Sequence, residues 1–476
     1  MRPGLLTGLS LAALLAGCAA TPPYARPTVD TVPAWQGDGP WRPAQPADGQ
    51  LRGNWWVAFH DAALDELEAA ALINNQSLKA AFANLDASHA LLDQARAGLF
   101  PQLNLNAQGT RTRTSANRPS ATYGTAATST VQNDFVVGAQ ASYEADLFGR
   151  VRATVASARA NDEAAAANFE SVRLLLTANL ASTYYSLREL DDELTVTRAS
   201  LNLQDKALKL IEARHEAGNA SGLDVAQQAT LLDSTRSQLE LLLRQRAQLE
   251  HALATLCGTP ATGFRVAPGT LPDTLPAVPV GVPADILERR PDVAAAERNV
   301  AVANAQIGVA RSAFFPSIML NAGIGHESHL LETLPNAPSY LWSLGSAAAL
   351  TVFDAGRNRA RAEQAEAGYT GAVATYRQTV LTAFQEVEDN LSALDILDRA
   401  ATDAHDAVAH ADKAYEITNT RYEGGLANVL DVITAEQALL NNQRTLAQIN
   451  GQRWQATVYL IKALGGGWEP RAASAP

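Results

Sequence analysis

Cysteine and methionine are almost missing from the 476 residues: Cys18 and Cys257 are the only thiols, Met1 and Met319 the only thioethers. Two cysteines exclude a disulfide framework unless they pair with each other, and two methionines leave no thioether-lined route for copper. An excess of positive charge is missing too. With 37 Lys and Arg against 49 Asp and Glu the formal net charge is −12, which excludes nucleic acid as a partner, because phosphate binding needs clustered Lys and Arg. Beyond the first residues no run of about 18 apolar residues occurs, so no α-helical membrane span is expected and any spanning part must be β. No phosphate loop of the Walker type is found, which argues against ATP hydrolysis by this chain. Proline is absent between Pro119 and Pro260 and between Pro338 and Pro470, leaving two long spans without a helix breaker. What is present, 47% hydrophobic and 18% charged residues, marks a folded chain, with room for roughly three domains or one elongated repeat architecture.

Residues 1–17 join a cationic start, a Leu/Ala-rich run from Leu5 to Leu15 and small residues before Cys18, the layout of a secretory signal. Leu15-Ala16-Gly17-Cys18 resembles a bacterial lipobox, which implies cleavage before Cys18 and lipidation of its thiol, and Ala19 after it favours the outer membrane. No other cofactor or metal is expected. Cys257 reads as a buried small hydrophobe.

Four segments alternate apolar and polar residues, the period of a strand with two unlike faces. They are Gln102–Gln108, Phe135–Ala145, Ser317–Ile324 and a row of Trp342, Leu344, Ala348, Leu350 and Val352. Such alternation suits a transmembrane barrel or a half-buried sheet in a soluble domain. The proline-free spans are rich in helix formers, and from Arg150 to about Glu216 Leu176, Leu180, Tyr184, Leu187, Leu190 and Leu194 recur at spacings of three and four. A helix of that extent would reach on the order of 100 Å, a length that points to coiled-coil packing. The cluster Gly218–Gly222 turns the chain into a second helix and so makes a hairpin tip.

The chain repeats itself. Lys206-Ala207 recurs as Lys413-Ala414, Arg214 as Arg421, Gly218 as Gly425, Leu223-Asp224-Val225 as Leu430-Asp431-Val432 and Gly258 as Gly465, all shifted by 207, whereas Phe100-Pro101 and Phe315-Pro316 differ by 215. The organisation is therefore a signal peptide (1–17), an extended connector (18–60), a first repeat (61–258), a Pro-rich linker (259–283), a second repeat (284–466) and a tail (467–476). The first repeat has strands at about 102–113 and 133–146 and helices at about 150–216 and 223–256; the second has strands at about 317–326 and 341–353 and helices at about 357–421 and 429–464. The fold class is mainly α with a membrane β part in two tandem repeats. Four strands cannot close a membrane barrel, which needs at least about eight, and open edges are intolerable in lipid. Several copies must contribute, and geometry permits two or three.

Asn54-Trp55-Trp56 with Phe59, the segment Pro283-Ala284-Asp285-Ile286-Leu287-Glu288-Arg289-Arg290-Pro291-Asp292, Phe314-Phe315-Pro316-Ser317, Phe353-Asp354-Ala355-Gly356-Arg357 and the ending Lys462 to Trp468 occur in that order. Together they resemble the TolC-like outer-membrane efflux proteins, within them the OprM-type lipoproteins that serve resistance-nodulation-division pumps. The resemblance implies a homotrimer, a twelve-stranded barrel continued by a long α-helical barrel with a mixed α/β equatorial belt, and a passive exit duct rather than an enzyme. The implied partners are outer-membrane lipid, a periplasmic adaptor and an inner-membrane pump. It further implies a periplasmic gate at the hairpin tips. Tyr422 and Asp431 match two gate positions, while Ala427 and Thr434 fall where the family carries charge; Arg421, Arg214 and Asp224 are candidate substitutes. Asp224 and Asp431 read equally well as helix caps. The small turns at Gly218, Ala220, Ser221, Gly425, Ala427 and Asn428 are the expected adaptor docking site.

Other candidates are weak. His326-Glu327-Ser328-His329 reads as a loop after a strand, and His405 and His410 are five apart on a helix. Arg111, Arg113 and Arg118 read as part of a solvated polar loop, with lipopolysaccharide phosphates as the alternative. The acidic balance favours cation preference in a pore. The competing functional reading is a lipid-anchored periplasmic coiled-coil scaffold or adhesin without a pore.

Overall fold

The computed structural model describes residues 21–29, 53–116, 130–272, 274–276, 278 and 289–466. The expected signal peptide, Cys18, most of the connector, Arg118, Pro283 to Glu288 and the tail lie outside the described residues. A 3₁₀ turn at Trp55–Phe59 precedes α1 (Ala62–Asn74), α2 (Gln76–Ala97), β1 (Gln102–Arg113), β2 (Val131–Glu144), α3 (Arg150–Glu216) and α4 (Gly222–Leu256). The second half holds α5 (Pro291–Ser312), β3 (Ser317–Ser328), β4 (Tyr340–Ala349), α6 (Arg357–Glu423) and α7 (Val429–Ala463). No described helix is long and apolar enough to cross a membrane.

The two repeats match in length as well as in order. Helices α3 and α6 each have 67 residues, and α4 and α7 each have 35. Both long helices end alike. The Asn219 N–H donates to the Arg214 carbonyl and the Leu426 N–H to the Arg421 carbonyl, each at 2.7 Å, and Gly218 and Gly425 adopt φ of 77° and 72°. This is the left-handed closure that satisfies the last carbonyls, and glycine takes it without a Cβ penalty.

The chain forms two compact units. The first comprises Met1–Pro27, Leu85–Ala165 and Ala296–Tyr376 and holds the sheet, four antiparallel strands in the order β1-β2-β3-β4. Strand β4 stops at Ala349, so Leu350 and Val352 are not part of it. Its neighbour begins at Ser317, which pairs with Ala349, and beyond that register β4 has no partner. Strand β2 begins at Val131 because β1 still offers Arg113 opposite it. His326 and Glu327 lie on β3, not in a loop, and Arg111 and Arg113 lie on β1.

The second unit comprises Thr28–Asn84, Ala166–Ala295 and Arg377–Pro476. Its core joins Trp55, Trp56 and Phe59 to Tyr184, Tyr185 and Trp454, with Tyr185 and Trp454 ring centroids 4.6 Å apart. The start of the linker is pinned here: Arg246 donates to Asp191 at 2.6 Å, to Glu250 at 2.8 Å and to the Val266 carbonyl at 2.9 Å. Cys257 is buried, its thiol pushed up to about 11 by burial and by Glu68, the setting of an inert core residue.

Candidate functional site

Strand register sorts the side chains of the sheet. On one face the cross-strand rows read Leu103–Ala141–Ala322–Leu344, Leu105–Ala139–Ile324–Trp342 and Ala107–Val137–His326–Tyr340, closed by Gly109–Phe135–Ser328. Leu105, Trp342 and Leu344 are 84%, 70% and 79% exposed, so nothing among the described residues covers this apolar face. The other face carries amides, hydroxyls and glycine with Leu341 as the one apolar member of three rows: Gln102–Ser142–Asn321–Gly345, Asn104–Gln140–Gly323–Ser343 and Asn106–Gly138–Gly325–Leu341. Acidic groups on this face sit beyond those rows, Asp134 opposite Thr110 and Glu327 opposite Val136, with Glu144 opposite Met319 at the other end. A cavity of about 1680 Å³ opens at the foot of the polar face, lined by Gln102, Ser142, Glu144 and Met319 together with Arg150 and Arg361. His326 and Glu327 point to opposite faces, as strand neighbours must, and do not converge on a shared ion.

Sheets with one apolar and one polar face occur in soluble proteins, but there the apolar face is covered. Among the described residues it is bare, and neither β1 nor β4 has a strand partner on its outer edge.

In the second unit the two hairpins meet at their tips. Ile211, Leu231, Val429 and Ile433 form a small core, against which Ala220, Val225 and Tyr422 pack. The Arg214 guanidinium lies 4.8 Å from the centroid of the Tyr422 ring, a cation–π contact between repeats. Asp224 and Asp431 are occupied as caps. The Asp224 carboxylate accepts the Ser221 N–H at 2.9 Å while the Ser221 hydroxyl accepts the Asp224 N–H at 3.2 Å. Asp431 and Asn428 repeat the exchange at 3.1 and 2.8 Å. Each is a reciprocal capping box. Arg421 is exposed, and Ala427 is half-buried. A Cβ built on Gly218 or Gly425 would meet nothing within 4 Å, and Leu223, Leu426 and Leu430 stand exposed around these turns. His215 Nδ1–H donates to the Ala220 carbonyl at 2.8 Å.

Above the tips runs a polar seam that the sequence reading missed. Gln204, Gln228 and Glu436 are buried, and Gln228 donates to the Gln204 carbonyl at 3.3 Å. Burial pushes the Glu436 carboxyl up to about 7, partly offset by the Gln204 amide beside it. Its position could have been found: Val429, Val432, Ile433, Leu439 and Leu440 place Glu436 on the buried stripe of α7.

The family model of the outer membrane efflux protein matches residues 67–259 and 282–466, one stretch for each repeat. The chain belongs to the outer membrane efflux protein family. It is 35% identical over 470 residues to the toluene efflux pump outer membrane protein TtgF of Pseudomonas putida, covering 97% of this chain and 96% of that protein. It is 34% identical over 471 residues to the outer membrane protein OprJ of Pseudomonas aeruginosa, covering 98% and 96%. Among solved structures the outer-membrane channel OprN superposes with a TM-score of 0.87 at 28% identity, over 95% of this chain and all of that one. The CmeC outer membrane channel of Campylobacter jejuni gives 0.86 at 26% identity. As a member of this family the chain is an outer-membrane exit channel of efflux, a transport duct with a periplasmic extension and not an enzyme. Membership of this family does not favour a periplasmic scaffold or adhesin without a pore.

Proposed function

We propose that three copies of the chain assemble into a passive duct whose twelve strands, three times the four of one sheet, line the outer membrane, and whose helices receive solutes from a periplasmic adaptor and a resistance-nodulation-division pump. The observation that carries this reading is the four-stranded sheet with a bare apolar face and two open edges. Backbone groups on an open edge find no partner in lipid, so β4 of one copy must meet β1 of the next until the wall closes. Twelve strands leave a lumen where eight would be filled by side chains. The polar face then lines the passage, and Asp134 and Glu327 support cation preference at its outer end.

Lipidation of Cys18 is supported by the segment that follows it. Tyr24 donates to Glu297 at 2.7 Å, Asn304 donates to the Pro22 carbonyl at 3.0 Å, and Thr21 fills the space over Gly308. The segment from Tyr24 back to Thr21 thus runs along α5 toward its C-terminal end, which leads into β3. At the tips Tyr422 with Arg214 forms the gate contact, and Gly218, Ala220, Ser221, Gly425, Ala427 and Asn428 with the exposed leucines form the adaptor surface. Asp224 and Asp431 act there as caps, and Arg421 as a solvent-facing charge.

Purified protein that migrates as a heat-labile trimer and conducts ions in planar bilayers bears out this reading. A stable, non-conducting monomer in bilayers overturns it.

A further inference from the structure

Strand β1 continues past the apolar band, and its last two outward positions are both arginine. Arg111 pairs across from Asn133 and Arg113 from Val131, the two rows that follow Gly109–Phe135 on the apolar side of the sheet. The acidic groups carried by the strands at the same end, Asp134 and Glu327, have the opposite parity and belong to the polar face. On the strands, charge is therefore sorted across a single layer of backbone, positive on the outer face and negative on the inner. An ion pair between Arg111 and Asp134 is ruled out by that parity, because neighbouring rows of one strand pair project to opposite sides. Both arginines are exposed.

The height of the band says what the arginines meet. From Ile318, opposite Ala348, to Ser328, opposite Phe135, the outward rows are apolar or aromatic apart from Ser346, His326 and Ser328 itself. Ten residues at about 3.4 Å, tilted by about 40°, span about 26 Å, the height of the apolar belt of an outer-membrane barrel. Arg111 lies one row beyond, about 5 Å higher at the same tilt, and Arg113 another 5 Å or so. The helices join the other ends of the strands, at Gln102, Glu144 and Ser317, and the periplasmic side is theirs. The arginines therefore stand at the headgroup level of the outer leaflet.

We infer that Arg111 and Arg113 form a binding site for the phosphate groups of the glycolipid in the outer leaflet of the outer membrane. A guanidinium holds a phosphate with two parallel hydrogen bonds, and two such groups a row apart on one face suit a headgroup that carries more than one phosphate. The apolar rows below them, closed by Phe135, offer a surface of the kind that long alkyl stems cover. The inference rests on the reading of the apolar face as the lipid face.

The test uses the full-length protein in phosphatidylcholine vesicles doped with either lipid A or phosphatidylglycerol. The Arg111→Gln/Arg113→Gln variant is expected to bind lipid A roughly tenfold more weakly than the parent, with binding of phosphatidylglycerol little changed. Equal lipid A binding by parent and variant overturns the site, and an equal loss for both lipids overturns the choice of the outer-leaflet glycolipid. Quenching by brominated acyl chains provides the control. Quenching that disappears in Trp342→Phe supports the apolar face as the lipid face whatever the arginines do. Its absence in the parent overturns that reading and the site with it.

Discussion

Arg214, near the end of the first long helix, lies over the ring of Tyr422, the residue before the end of the second, at 4.8 Å. The contact ties one repeat to the other at the place where their hairpins turn. Such a pair contributes about 0.5–2 kcal/mol. Arg214→Ala and Tyr422→Ala are each expected to raise single-channel conductance several-fold, and the double variant to add little to either. Tyr422→Phe keeps the ring and should conduct like the parent. Additive effects in planar bilayers would sink the pairing.

Glu436 makes the same region pH-sensitive. Its folded carboxyl titrates near 7, above its ordinary value of 4.5, so the stability it supports is fully present below about 4.5 and is lost as pH rises through 7. The parent should lose on the order of 3 kcal/mol of stability across that window. Glu436→Gln, which stays neutral, should flatten the curve. Unfolding temperatures measured between pH 5 and 8 check this, and parallel curves for the two proteins would refute it.

Glu68 is the deeper case. It is fully buried on the Leu64–Glu68–Ala71 stripe of α1, and neither carboxyl oxygen has a hydrogen-bond partner among the described residues. Burial and the nearby Asp65 hold its carboxyl well above the usual range, so deprotonation at rising pH opposes folding. Glu68→Met should therefore raise the unfolding temperature, and by more at pH 8 than at pH 5. A larger gain at the acid end would contradict the assignment.

Gly138 and Gly325 face each other in the middle of the sheet. A Cβ on Gly138 would stand 2.7 Å from the Ile324 carbonyl oxygen, and one on Gly325 would stand 2.5 Å from that of Val137. Both obstacles are backbone, which cannot move aside as a side chain does. Gly325→Val is expected to cost about 3 kcal/mol or more and to leave heat-labile oligomer on gels reduced at least several-fold, while Gly345→Ala, with nothing within 4 Å, should assemble as the parent does.

Much of this fold is written locally. The alternation from Gln102 to Gln108 marks β1, the shared shift of 207 pairs the helices, and Ser221 and Asn428 three residues before an Asp signal the capping boxes. Strand ends are different, because a ladder stops where its partner stops. The alternation through Val352 continues beyond Ala349, but Ser317 is the last residue that can pair. The Arg214–Tyr422 contact was equally hidden, since it joins distant segments and leaves no periodic trace. Glu436 and Glu68 were visible as carboxylates on apolar stripes, a local conflict that marks positions under some demand other than packing. The charge sorting on β1 needed the register, since parity relates Arg111 to Asp134 only once the two strands are paired.

The matched helix lengths have a consequence for how such a chain can change. Inserting one residue into α3 would rotate everything beyond it by about 100° and advance its tip by about 1.5 Å, while α6 stayed where it was. The small core of Ile211, Leu231, Val429 and Ile433 draws on both hairpins and would come apart. Length variation in the helices is viable only in duplicate, whereas the segments between strands, already unequal in the two halves, can drift alone.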